Sequence, residues 1–149
     1  MKFTFFKKKS ETHPKDESNE MYLNAIIESI EQIPFAIGNE NVCYAGLNEL
    51  AGYLFLQTII VGKLKTKTFK GASLNITGDE FELNLKSDML ELESNSSKIA
   101  NRYITPIDFI INDNEAKKID KSKIKKVTLI VKNLTIDFKC FEGINDEEE

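Results

Sequence analysis

The sequence predicts an α+β fold, with one N-terminal amphipathic helix packed on a twisted, mainly antiparallel meander sheet of about six to eight strands, partly rolled. Three observations predict it. The first is Tyr53–Val61, the longest apolar run in the chain and rich in β-branched and aromatic residues. The second is the recurrence of Tyr22, Ala25, Ile26, Ser29, Ile30 and Ile33 at helical spacing. The third is the one-sided alternation of apolar and polar residues from Leu64 to Leu92.

The run Tyr53–Val61 is far shorter than the ~20 residues a membrane-spanning helix requires. Phe55, Ile59 and Val61 fall on one face of a strand, and Leu54, Leu56 and Ile60 on the other. A strand apolar on both faces needs cover on both sides, which makes it the expected centre of the sheet under the helix. That helix opens at Ser18 or Asn19, residues that cap well, and closes before Pro34, because a proline disfavours helical geometry in the residue before it. Its charged and amide residues Glu20, Asn24, Glu28 and Glu31 fall mostly off the apolar stripe.

Between the helix and the central strand, Phe35–Ile37 suggests a short strand and Gly38–Asn41 a turn. Ala45–Leu50 suggests a helical turn or two, ended by Gly52 as a C-terminal cap. After Gly62, where a bend or bulge is expected, Leu64, Thr66 and Thr68 alternate with Lys63, Lys65 and Lys67. Leu74 and Ile76, then Phe81, Leu83 and Leu85, then Leu90 and Leu92 continue the pattern, with turns at Lys70-Gly71, Gly78-Asp79 and Ser87-Asp88. If Ser87-Asp88 is a two-residue hairpin loop, Leu85 faces Leu90, Leu83 faces Leu92, Glu82 faces Glu93 and Asn84 faces Glu91. Ile107, Phe109 and Ile111 share a face of the next strand, in which Pro106 suits an edge position or the strand's beginning. Asp113 can cap a short helical turn. Val127, Leu129 and Val131 pair across a Lys132-Asn133 turn with Leu134, Ile136 and Phe138.

One domain accounts for this pattern, spanning residues 18–141. Residues 1–17 read as a basic, flexible lead-in and linker carrying Phe3, Phe5, Phe6 and Lys7–Lys9, and residues 142–149 as an acidic tail. A chain of 149 residues can bury a core without disulfide or metal staples. The two cysteines, Cys43 and Cys140, have no motif spacing and read as reduced thiols. The net charge of −4 lacks the basic footprint of a general nucleic-acid binder. The N-terminus has no apolar run of signal-peptide length, so the cytoplasm is the expected location. Its Phe/Lys cluster is too short for stable membrane association.

Catalytic and cofactor chemistry finds no foothold. The single histidine, His13, sits in the lead-in, so no His pair or Ser/Cys–His couple can be assembled in the domain. No phosphate-binding glycine loop occurs. The paired Glu82 and Glu93 would face water on a charged sheet surface. The expectation is therefore a protein without enzymatic activity or cofactor that acts by binding another protein, as an accessory subunit or an inhibitor of the immunity type, with self-association as a further route. The candidate interaction face is Lys63, Lys65, Lys67, Glu82, Glu91 and Glu93. The candidate loop site is Asn39, Glu40, Asn41, Asn48 and Glu49, with Cys43 among them. The alternative is a small-ligand or lipid carrier with a pocket between helix and sheet, into which Tyr22, Tyr44, Tyr53 and Tyr103 would turn their hydroxyls.

Overall fold

A computed structural model of the chain describes residues 14–141. Helix α1 (Pro14–Ser29) is followed by β1 (Ala36–Ile37), β2 (Asn41–Leu50), β3 (Tyr53–Gly62), β4 (Lys67–Thr68), β5 (Ala72–Gly78), β6 (Glu82–Lys86), β7 (Leu92–Glu93), β8 (Asn95–Ser96) and β9 (Tyr103–Ile110). A four-residue helix α2 (Asp113–Ala116) and a 3-10 turn (Lys121–Lys123) lead to β10 (Ile124–Val131) and β11 (Leu134–Cys140). The architecture is α+β, a helix laid on a mainly antiparallel sheet. Nine strands run in the order β6-β5-β10-β11-β1-β2-β3-β9-β8, and β4 pairs with β7 in a separate ribbon. Eleven strands exceed the six to eight expected, because β1, β4, β7 and β8 are two-residue pairings too short to leave a sequence pattern.

The sheet curls into a half-barrel. Its inner face is set by the period-2 alternation of each strand. Leu56 and Ile60 of β3, Leu74 and Ile76 of β5, Leu83 and Leu85 of β6, Ile107 and Phe109 of β9, Val127 and Leu129 of β10, and Phe138 of β11 are all buried there in one cluster. Each such side chain contributes ~1.5–3 kcal/mol of transfer free energy, so this interior is the main driving force of the fold. The curl brings β6 round to β9. Ser87 bridges Phe109, and the Asp88 amide donates to the Asp108 carbonyl at 2.8 Å.

The Ser87-Asp88 hairpin of the sequence reading does not form. β6 has β5 as its neighbour, with Leu85 opposite Leu74 and Glu82 opposite Thr77. Beyond Ser87 the chain leaves the sheet edge, so Leu90 is 64% exposed, and β7 pairs instead with β4, setting Glu93 opposite Lys67. The buried Ser87 explains the departure. Its amide donates to the Ala72 carbonyl, and its hydroxyl accepts from the Ala72 amide while donating to the Met89 carbonyl, which turns the chain away from the sheet.

Two further segments differ from expectation. β2 is one extended strand rather than a helical turn. It pairs with β3 over its whole length, and Ala51 (φ 52°) with Gly52 (φ 83°) forms a two-residue turn of type I′. Helix α1 starts at Pro14, inside the stretch read as linker, and ends at Ser29 rather than at Pro34. Proline is well suited to a first helical position, where its missing N–H goes unneeded. The basic lead-in through His13 and the acidic tail lie outside the described residues. The N-cap of α2 is Asn112, one residue before the expected Asp113, in a capping box with Glu115. The Lys132-Asn133 turn is present, with Lys132 at φ 55°.

Helix α1 covers the outer face of the sheet at one end only. Leu23 and Ile26 are buried against Ile37, Val42, Tyr44, Val61 and Phe141, flanked by half-buried Tyr22, Ile27 and Ile30. The buried stripe is thus turned by about one residue from the expected one; Ala25 is exposed, Ser29 lies at the margin with its hydroxyl toward Arg102, and Ile33 is 75% exposed. At the same end, Gly62 lets β3 bend against the β1–β2 turn. A Cβ there would collide with the Glu40 carbonyl and Asn41. The Lys63 amide donates to Glu40 O at 3.1 Å and the Leu64 amide to Asn41 Oδ1 at 2.9 Å.

Ile26→Ala is expected to lower stability by ~2–4 kcal/mol and Ile30→Ala by roughly half as much or less, read from urea unfolding midpoints. Equal losses would mean the helix seats on a different stripe. Cys43 and Cys140 flank Ala36 on the two neighbouring strands, two strand spacings apart, or ~9.5 Å. That is too far for a disulfide, which needs Cα atoms within ~7 Å. Burial pushes the Cys43 thiol up to about 12. Alkylation of the native protein at pH 8 is expected to spare Cys43 until denaturant is added; modification at the rate of an exposed thiol would contradict this packing.

Candidate interaction face

The outer face of β2, β3 and β9 continues beyond the helix, and its composition does not change there as water would require. The register sets side chains in cross-strand rows. Tyr44, Ile59 and Pro106 form the row at the helix margin; next come Gly46, Gln57 and Asp108; then Asn48, Phe55 and Ile110; and last Leu50 with Tyr53. Ile59 is 41% exposed, Leu50 49%, Ile110 52% and Tyr53 70%. A Cβ added at Gly46 would meet nothing within 4 Å, so the surface is open above it. Exposed apolar residues grouped in this way are the kind of patch that is often functional on monomers.

One polar pair interrupts this surface. Gln57 and Asp108 lie opposite each other between two apolar rows, both half-buried. The Asp108 carboxylate has no hydrogen-bond or ion-pair partner among the described residues, although its backbone carbonyl is used by Asp88. A carboxylate among apolar neighbours with no cation beside it is the arrangement that an incoming donor would complete.

Under the helix the polar groups are enclosed instead. Arg102 is buried, and its Nη1 donates to Ser29 Oγ at 3.1 Å, tying the helix end to the start of β9. Arg102 Nε and the Tyr44 hydroxyl are buried without a partner. Burial raises the Tyr44 phenol, and the nearby Arg102 charge partly offsets that. The Tyr22 hydroxyl donates to Asn101 O at 2.6 Å.

The sequence-predicted residues scatter over several surfaces. Lys63, Lys65 and Lys67 do line one exposed side of the chain after β3, and each ammonium sits over an aromatic ring: Tyr22 of the helix at 5.0 Å, Tyr103 of β9 at 5.6 Å and the nearby Phe69 at 5.6 Å. Glu93 stands across from Lys67, and Glu91 is exposed beside it. Glu82 is elsewhere, on the outer face of β6, where Asn75 Nδ2 donates to it at 2.8 Å. The six residues therefore do not form one face, and the Glu82–Glu93 pair does not exist. The loop site also dissolves. Asn39 and Glu40 are exposed at the β1–β2 turn and Asn41 is buried as a structural acceptor, while Asn48 and Glu49 lie near the far end of β2 on opposite faces. Cys43 belongs to the core. Of all these candidates, Asn48 alone borders the open face. The four tyrosines do not converge, since Tyr44 is buried under the helix and Tyr53 is on the open face. Tyr53, Phe55 and Ile59 were legible as residues needing cover; a helix of 16 residues is too small to provide it along all ten residues of β3.

Fold and face together define a class: a helix-capped, curled antiparallel sheet with an apolar face left exposed among the described residues. Comparison with known proteins finds no family model, no curated protein and no solved structure that matches this chain. Among the described residues no group of three or more His, Cys, Asp or Glu side chains could hold a metal ion, and no helix is long and apolar enough to cross a membrane.

Glu93→Lys, which would relieve repulsion in the hairpin of the sequence reading, places a like charge opposite Lys67 in the observed ribbon. It is expected to cost up to ~1 kcal/mol in urea titrations at low salt, whereas Glu82→Lys is expected to stay within ~0.5 kcal/mol. Stabilisation by Glu93→Lys would contradict the β4–β7 pairing.

Proposed function

We propose that this is a non-catalytic docking protein that binds another protein through the open end of the outer face of β2, β3 and β9. The observation that carries the reading is the apolar surface of Leu50, Tyr53, Phe55, Ile59 and Ile110, which the helix leaves uncovered. Open sheet faces with aromatic anchors around one half-buried polar pair are suited to protein partners, whose binding energy concentrates in a few such anchors. Asp108 at the centre favours a partner presenting apolar side chains around one Arg or Lys. Such a role fits an accessory subunit or an inhibitor of the immunity type, acting in the cytoplasm.

The alternative of a small-ligand carrier has less to stand on. The seam between helix and sheet is filled by Leu23, Ile26, Val42, Tyr44 and Val61. An open groove of about 850 Å³ lies past the helix end, against Ile124 and Phe141. There Lys121 Nζ is engaged by the carbonyls of Pro34 at 2.7 Å and Phe141 at 3.3 Å, leaving it poorly placed to greet a ligand.

A photo-crosslinking residue at Tyr53 is expected to capture a specific protein from the native host, and one at Asn84, on the outer face of β6, is not. With the captured partner in hand, Tyr53→Lys combined with Ile110→Lys is expected to weaken binding by ~100-fold or more in calorimetry, with the melting temperature unchanged or raised. A double variant that binds as tightly as the wild type would overturn the assignment of the face.

A further inference from the structure

A second surface, on the other side of the curl, has the opposite character. The chain after β4, the start of β5, the end of β6 and the β10–β11 turn enclose an open groove of about 850 Å³. Lys67, Lys70, Lys86 and Lys132 surround it, Leu90 and Ile130 supply apolar surface, and no carboxylate among the described residues lines it. The frame is fixed by hydrogen bonds rather than by loose loops. Gly71 N donates to Leu90 O at 2.8 Å, Ala72 N to Ser87 Oγ at 3.0 Å, and Ser87 itself is buried. Lys86 Nζ reaches Ser73 Oγ at 3.2 Å, and Lys67 lies over the exposed Phe69 ring. None of the four lysines is ion-paired among the described residues, whereas Lys125 and Lys126 pair with Asp79 and Asp137. In a chain of net charge −4, four unpaired cations around one groove call for an anionic occupant with an apolar element.

The chain carries such a segment. Residues 142–149 read Glu-Gly-Ile-Asn-Asp-Glu-Glu-Glu, one apolar residue among five carboxylates. We propose that the lysine groove receives the acidic segment 142–149 of a second copy, with Ile144 on Leu90 and Ile130 and the carboxylates among Lys67, Lys70, Lys86 and Lys132. Distance favours a second copy over the same one. β11 starts just after the Lys132-Asn133 turn and carries the chain away from it over seven residues, or ~23 Å. Ile144 lies three residues past Phe141, at most ~11 Å further along the chain, so a chain's own Ile144 would fall short of the groove. The contact is head-to-tail, each copy offering a groove and a tail. Because the charges are exposed, association weakens as salt rises. This inference does not depend on the face proposed above.

The test uses full-length chains. One variant reverses the groove (Lys70→Glu with Lys132→Glu). The other neutralises the tail (Asp146→Asn, Glu147→Gln, Glu148→Gln, Glu149→Gln). Thermal melts establish that both are folded. In sedimentation velocity at low salt the wild type is expected to associate with concentration, and each variant alone at least tenfold more weakly. An equimolar mixture of the two is expected to recover one-to-one pairs, because one supplies an intact groove and the other an intact tail. A monomeric wild type, variants that associate like the wild type, or a mixture that fails to pair would overturn the proposal. A monomeric wild type whose neutral-tail variant binds a labelled 142–149 peptide would show filling in cis and overturn the head-to-tail contact. Association lost on Tyr53→Lys with Ile110→Lys but kept in both charge variants would assign self-association to the apolar face instead and also overturn it.

Discussion

The structure depends on how β3 is covered. Its even-numbered residues, Leu56, Thr58 and Ile60, point into the curl and are buried by the rest of the sheet. Its odd-numbered residues are also largely apolar, and nothing inside the curl can reach them. Helix α1 solves this for Val61 and, through Leu23 and Ile26, for Val42 and Tyr44 next to it. It is too short to solve it for Ile59, Phe55 and Tyr53. Apolar surface facing water has a cost proportional to its area, and that cost is most directly removed by another molecule.

The curl is held by a few polar contacts at places where regular pairing stops. Gly62 with Asn41 bends the end of β3 so that the chain can cross to β4, and Ser87 closes β6 toward β9 while turning the chain outward. Thr58 and Thr105, both in the interior, bond the Ile107 carbonyl and Ser94 Oγ respectively, so their hydroxyls are satisfied where water is excluded. Most of these contacts lie between residues well separated in sequence. They fix where each surface lies, including the two open ones.

Much of this was legible in the residues. Alternation assigned Leu83, Leu85, Phe109, Val127 and Phe138 to one interior, and helical spacing placed Ile26 on the sheet-facing side of the helix. What alternation cannot supply is the neighbour of a strand. β5 pairs with β10, which lies far along the chain, and nothing local in Ala72–Gly78 distinguishes that partner from the adjacent alternating segment. The same limit undid the Glu82–Glu93 pair. β2 was hidden because its outer positions include Gly46 and Asn48, residues weak in strand propensity, and because Ala51-Gly52 lacks the Asn or Asp usual in a type I′ turn. The interaction face was half visible. Tyr53, Phe55 and Ile59 announced a demand for cover, but their grouping with Leu50, Ile110 and Asp108 depends on the β2–β3–β9 register.

Surface chemistry thus divides the molecule into a closed interior, an apolar outer face around a lone carboxylate, and a lysine-lined groove. Helix α1 covers one end of the outer face and leaves the other end open to water. Solvent paramagnetic relaxation of methyl signals measures this directly. Strong relaxation is expected at Ile59, Leu50 and Ile110, with Ile26, Ile60 and Val61 protected. Protection of Ile59 and Ile110 equal to that of Ile60 would show the face already covered within the chain and contradict this arrangement.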